Sequence, residues 1–194
     1  NFFLITIISR VYGAEMYGEY ASSKSLSVLI GTAAVMSLAL VVTKFLAQKN
    51  KSSKSMFQNA YALILRNLLI SLIILIPLTL FLKRDLPMTI LFLIGFVFNE
   101  MIHVALAYYQ AKGDFVTSSK QIILRTIIYG LGAWILVIQG FSILSLIIFQ
   151  VITLVTFFAI AHFSIPKNDI DVNSNTTVKN NLQASGKKMV LTTF

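Results

Sequence analysis

Apolar residues follow one another along this chain in long, continuous stretches and do not alternate with polar residues. Residues 25–43, 67–82 and 126–166 carry no charge, and residues 86–111 carry only that of Glu100. A helix needs about 20 mostly apolar residues to cross a bilayer core of about 30 Å. Continuous apolar runs favour transmembrane helices over a transmembrane barrel, whose strands alternate. The pattern therefore predicts an all-α integral membrane protein.

Six helical spans follow from these runs. We predict spans over 1–10, 17–43, 57–82, 86–109, 119–138 and 142–163. The first is too short to cross a bilayer, and the chain begins with Asn1, so we expect a helix that has lost its start. A cleaved signal peptide is the alternative, but no basic region precedes the apolar run and no small-residue cleavage site follows it.

The composition changes after the sixth span. Residues 164–186 are rich in Asn, Ser, Thr and Asp, which indicates a flexible polar linker. Residues 187–194 turn apolar again and are interpreted as the start of a further helix that is cut off. We therefore expect a six-helix bundle over 1–163, then the linker, then a second part that this sequence does not include.

Basic residues are concentrated on one side of the predicted bundle. The chain has 16 Lys and Arg against 7 Asp and Glu, a net charge of +9. Nine basic residues fall in the loops after spans two, four and six, and three lie near the other loops. Because basic loops stay in the cytoplasm, we predict a cytoplasmic N-terminus. The same bias explains the high pI of about 9.9 without a nucleic-acid partner, and the absence of cysteine excludes thiolate sites.

Several cations fall within or at the ends of the spans, where ionisable groups are functional candidates. They are Arg10, Lys24, Lys44, Arg66 and Arg125. Serines surround Lys24, which suits a water-filled cavity, although snorkelling to the membrane surface remains the alternative. Anchoring at the interface, snorkelling or positive-inside bias are the alternatives for the other four. Taken together, cations in a low-dielectric cavity would attract an anion such as a lipid pyrophosphate.

The fourth span carries a polar stripe. Asn99, His103 and Gln110 share one helix face, and Glu100 flanks it. Such a stripe could bind sugar hydroxyls or couple ions, or it could serve as hydrogen bonds between helices. Glu100 and His103 also match half of a di-iron motif, but no second half follows, so we expect no metal and no cofactor.

Three short stretches resemble one family of membrane proteins. They are ISRVYGAEMYGEYA at 8–21, KFLA at 44–47 and YYQAKGDF at 108–115. They are similar to the ends of helices 1, 2 and 4 in polysaccharide flippases, the O-antigen and capsule repeat-unit transporters. These belong to the multidrug/oligosaccharidyl-lipid/polysaccharide exporter superfamily. The sequence departs from the pattern at Lys44, where the family often has arginine.

The resemblance implies a fold and a function. The chain would be the N-terminal bundle of a two-bundle transporter in a bacterial inner membrane, not an enzyme. It would flip polyprenyl-pyrophosphate-linked oligosaccharides from the cytoplasmic to the outer leaflet. Its partners would be the lipid-linked oligosaccharide, membrane lipids and other polysaccharide-assembly proteins. A cation or drug antiporter of the same superfamily and a membrane-embedded polymerase or ligase are the alternatives.

Overall fold

The computed structural model describes residues 2–35, 38–47 and 53–165. In that part of the chain six helices and no strand are found. The helices are α1 (Phe2–Val35), α2 (Leu38–Ala47), α3 (Ser53–Phe81), α4 (Leu86–Ala111), α5 (Phe115–Ile138) and α6 (Ile143–Phe163). The predicted linker, apart from its first two residues, and the predicted further helix lie outside the described residues.

Four of the described helices are long and apolar enough to cross a membrane: α3 from Met56 onwards, α4, α5 and α6. Their outward faces are apolar as well. Ile73 and Phe81 of α3 are 73% and 82% exposed, and Leu131 of α5 is 57% exposed. Contiguous exposed surface of this kind marks contact with lipid or a partner in place of water. The helices therefore indicate a membrane protein.

The bounds of the last four helices agree with the predicted spans to within a few residues. The largest difference among the last three is at α5, which begins at Phe115 because Asp114 caps its N-terminus and accepts a hydrogen bond from the Thr117 N–H at 3.0 Å. Hydropathy does not register such a cap. The predicted span over 17–43 corresponds to the second part of α1 and most of α2, and residues 36–37 between them are outside the described residues.

Between the first two predicted spans, over residues 11–16, only one residue departs from helical geometry. Gly13 has φ 85° and ψ 166°, whereas the residues on both sides of it are helical. Gly18 lies inside the helix. Tyr12, next to the kink, donates a hydrogen bond to the Phe141 carbonyl oxygen in the turn between α5 and α6 at 2.5 Å. This hydrogen bond connects the kink in α1 with the turn between α5 and α6.

α4 is the central helix, because it packs against all five of the others, while α5 packs mainly on α6. Small residues allow close approach. Ser27 of α1 donates to the Thr89 carbonyl oxygen of α4 at 2.7 Å, and Gly31 lies under the ring of Phe96. One buried cluster joins α2, α3, α4 and α6, and a second joins α1, α4, α5 and α6. The second cluster also forms part of the wall of a cavity between α1, α4, α5 and α6.

Candidate functional site

A cavity of about 330 Å³ lies between α1, α4, α5 and α6. This volume is near the lower end of the range for small-molecule sites. Its apolar wall includes Ile8, Phe92 and Phe96. Among the polar side chains that line it are Lys24, Asn99, Arg125, Thr126, Tyr129 and Gln150. Each of the four helices contributes at least one of these polar groups, so only the assembled bundle forms the site.

Two of the lining residues are cations from different helices. Lys24 lies on α1, with its Nζ 5.7 Å from the centroid of the Tyr20 ring, a distance at which a cation–π attraction acts. Arg125 lies on α5, and its buried Nη1 has no hydrogen-bond partner among the described residues. No Asp or Glu of the described residues lines the cavity. The cavity is thus positively charged, and Arg125 offers it a hydrogen-bond donor that no described residue uses.

Amide and hydroxyl groups complete the polar lining. The Tyr129 hydroxyl donates to Gln150 Oε1 at 3.3 Å, and Tyr20 lines the same cavity. Asn99 Nδ2 donates to Glu100 Oε1 at 3.1 Å. These contacts hold the amides of α4 and α6 in fixed positions. Amides and hydroxyls in fixed positions are the groups that read the hydroxyls of a neutral polar ligand.

The polar stripe of α4 faces α5. Gln110 Nε2 donates to Ser118 Oγ of α5 at 3.4 Å. Glu100 and His103 interact electrostatically with each other, and each also interacts with Arg125. Of the stripe, only Asn99 lines the cavity itself. Glu100 and His103 lie beside it, and Gln110 lies further along the helix pair.

The structure separates the five candidate cations. Lys24 and Arg125 line the cavity, whereas Arg10, Lys44 and Arg66 are exposed and do not line it. Arg66 Nη2 donates to the neighbouring Asn67 Oδ1 at 3.4 Å. A charge in an apolar stretch therefore does not by itself indicate a cavity. No group of three His, Asp or Glu residues suited to a metal ion occurs in the described part of the chain.

Sequence reasoning missed five polar side chains of the cavity, those of Tyr20, Thr126, Tyr129, Gln150 and Thr153. A signal for Gln150 was present, because it is the only side-chain amide in the apolar helix α6. The tyrosines gave none, since a tyrosine in an apolar run equally suits a membrane interface.

The fold and the cavity define an all-helical membrane protein with a cationic site between its helices. No protein-family model, curated protein or solved structure matches this chain.

Proposed function

We propose that this chain is the N-terminal bundle of a transporter that flips polyprenyl-pyrophosphate-linked oligosaccharide units. Transport would run from the cytoplasmic to the outer leaflet of a bacterial inner membrane during surface polysaccharide assembly. One observation carries the proposal: Lys24 and Arg125, from separate helices, line the same cavity, and no carboxylate of the described residues lines it with them.

The charge of the cavity favours a phosphate or pyrophosphate. A guanidinium offers paired donors that fit two phosphate oxygens, and an ammonium adds a point charge. Arg125 has a buried donor without a partner, which is costly unless a ligand or water accepts its hydrogen bond. In a low-dielectric site the attraction between these cations and an anion is much stronger than in water.

The neutral lining suits the sugar next to the pyrophosphate. Asn99 and Gln150 present amides, and Tyr129 presents a hydroxyl. The volume of about 330 Å³ fits a charged headgroup with a small part of a glycan. The remainder of a repeat unit would lie outside this cavity, against the second bundle that the proposal requires.

The proposed topology is multi-pass with a cytoplasmic N-terminus, from the bias of basic loops. Alternating access would follow if the two bundles rock against each other around the site. A cation antiporter would need carboxylates in its cavity, and Glu100 lies only beside this one. The observed charge therefore supports an anionic substrate.

The test is made in the native strain with the full-length gene deleted. Surface glycan and lipid-linked intermediates are profiled after complementation with the wild type or with Lys24→Gln, Arg125→Gln or Arg66→Gln. We expect the wild type and Arg66→Gln to restore surface glycan. The two cavity variants should trap complete repeat units on the lipid carrier inside the cell. Arg66→Gln is the matched control because it removes an exposed cation from a neighbouring helix.

Other outcomes point elsewhere. Single unpolymerised units on the surface of the deletion strain would show that flipping continues and would indicate a polymerase. An unchanged glycan would contradict the proposal and favour the drug antiporter. If Arg66→Gln were as defective as Arg125→Gln, the cavity would have no special role.

A further inference from the structure

A polar file runs between α4 and α5 from their connecting turn to the cavity. On α5 its residues are spaced by three and four positions, which places them on one helix face. The file consists of Gln110, His103 and Glu100 on α4, and Ser118, Gln121 and Arg125 on α5. At about 1.5 Å per residue, the distance along α4 from Gln110 to the cavity residue Asn99 is about 16 Å, roughly half of a bilayer core.

The file contains donors and acceptors that the protein does not satisfy. Gln121 Oε1 and Arg125 Nη1 are both buried, and neither has a hydrogen-bond partner within the described part of the chain. Gln110 and Ser118 form only a long hydrogen bond, at 3.4 Å. Buried polar atoms almost always find a partner in protein or water, and lipid chains offer none. α5 packs mainly on α6 and only sparsely on α4, so water between α4 and α5 is the partner that these buried atoms require.

Two protonatable groups lie where the file meets the cavity. Glu100 and His103 are one helical turn apart and interact electrostatically with each other. Both also interact with Arg125, which lines the cavity. Carboxylates and histidines along a polar path inside a membrane are the usual components of proton relays, and histidine changes charge near neutral pH.

We propose that this file is a hydrated path for protons, and that Glu100 and His103 bind the proton that is coupled to the anion in the cavity. The proposal rests on the proposed function. An anion bound at Arg125 competes with the Glu100 carboxylate for the same guanidinium and adds negative charge beside His103. Anion binding therefore favours uptake of a proton by the pair. The proton comes from water at the α4–α5 turn and returns there on anion release, so the two bindings are reciprocally coupled.

The groups that surround Glu100 and His103 leave these two side chains as the acceptors of the coupled proton. The charged and titratable groups around the cavity are Lys24 and Tyr20 on α1 and Arg125 and Tyr129 on α5, while α6 contributes only neutral Gln150 and Thr153. From α2 and α3, Lys44 and Arg66 are exposed. The second histidine, His162, packs instead on the Tyr61 ring, with centroids 5.6 Å apart. His162 therefore serves as a matched control.

Water access is tested by cysteine labelling, which is direct because the chain has no cysteine. Full-length protein in liposomes, with any cysteine outside this chain replaced, carries one cysteine, at Gln121→Cys or at Leu124→Cys on the exposed face of α5. A charged, membrane-impermeant thiosulfonate is added on the side that labels Lys112→Cys. We expect Gln121→Cys to react at least about tenfold faster than Leu124→Cys. Equal rates, or labelling of neither position, would overturn the hydrated path.

Proton coupling is tested by the protons taken up per pyrophosphate bound, in weakly buffered detergent solution. The wild type and His162→Gln should take up protons, and Glu100→Gln and His103→Gln should lose most of this uptake per pyrophosphate bound. Binding by the wild type without uptake, or loss of uptake in His162→Gln alone, would overturn this inference and leave the proposed function standing. Absence of pyrophosphate binding by the wild type would overturn both.

Discussion

At the scale of single residues, the cavity owes its charge to two side chains that lie far apart in sequence. Lys24 is on α1 and Arg125 on α5, and both line one cavity. A single pyrophosphate bound there, as proposed, would contact both cations. Their contributions to binding are therefore expected to depend on each other.

A double-mutant cycle measures this dependence. We expect Lys24→Gln and Arg125→Gln each to weaken pyrophosphate binding about tenfold, or by about 1.4 kcal/mol. The double variant should depart from additivity by at least about 0.5 kcal/mol. Arg125→Gln combined with Arg66→Gln should be additive, because Arg66 is exposed and outside the cavity. Isothermal titration in detergent gives the six affinities, and a fully additive cavity pair would contradict a shared ligand.

A different residue, Asp114, sets the start of α5 outside the membrane-spanning segments. Hydrogen bonds from Thr117 hold the pKa of the Asp114 carboxyl below its ordinary value of 3.8. A carboxyl with a depressed pKa in the folded state stabilises that state above its ordinary pKa. The stabilisation is lost as pH falls through the lower, folded-state pKa.

We therefore expect Asp114→Asn to remove part of the acid sensitivity of the protein. Asparagine still caps a helix but does not titrate. Thermal unfolding is compared between about pH 5 and about pH 2, where only the wild type should lose the contribution from this cap. Identical pH profiles for the two proteins would show that the Asp114 cap does not contribute.

At the scale of helices, glycines decide where two of them approach each other. A Cβ on Gly132 of α5 would overlap the ring of Phe149 on α6, whereas a Cβ on Gly130 would meet no atom within 4 Å. Both glycines lie in the same helix, two residues or about half a turn apart. Comparing them therefore separates the effect of packing from the effect of helix propensity.

Gly132→Ala should destabilise the protein by about 1–3 kcal/mol through overpacking. Gly130→Ala should be neutral or stabilise it by up to about 1 kcal/mol, because alanine favours a helix. Equilibrium unfolding in detergent measures both, and Phe149→Leu should rescue part of the loss in Gly132→Ala. Equal effects of the two alanines would contradict a close α5–α6 contact at Gly132.

Gly13 determines the shape of α1 by its backbone. Its φ of 85° and ψ of 166° lie in a region that residues with a Cβ avoid, and no atom would contact an added Cβ. Gly13→Ala should therefore cost about 1–3 kcal/mol by backbone strain alone. The control is Gly18→Ala, which lies in helix with open space around it. Thermal unfolding tests this, and equal stability of both variants would argue against the kink.

Hydropathy predicted α3 to α6 well, because the free energy of placing a segment in a bilayer depends mainly on the residues within that segment. It missed the start of α5, which the Asp114 side chain fixes through one hydrogen bond. It also left residues 11–16 outside the predicted spans, although Gly13 alone departs from helical geometry there. Caps and single dihedral angles hardly change a hydropathy average, so such boundaries are not predictable from it.

At the scale of the whole molecule, the distribution of basic residues predicts the orientation in the membrane. In the cysteine-free chain, Lys112→Cys should react with an impermeant thiol reagent only from the cytoplasmic side. Arg84→Cys and Gln139→Cys, in the turns before α4 and after α5, should react only from outside. Labelling of all three from one side would contradict the predicted topology.

Hydropathy alone was enough to identify a helical membrane protein and to locate its four most apolar helices. Transfer of a helix into lipid depends mainly on the residues within that helix. Which polar residues form the site became clear only from the packing of the helices. Arg66 and Arg125 look similar in sequence, each a cation next to an apolar stretch, yet only Arg125 reaches the cavity that Lys24 and Gln150 also line. The physical reason is that the rotation of each helix about its own axis depends on how it packs against its neighbours.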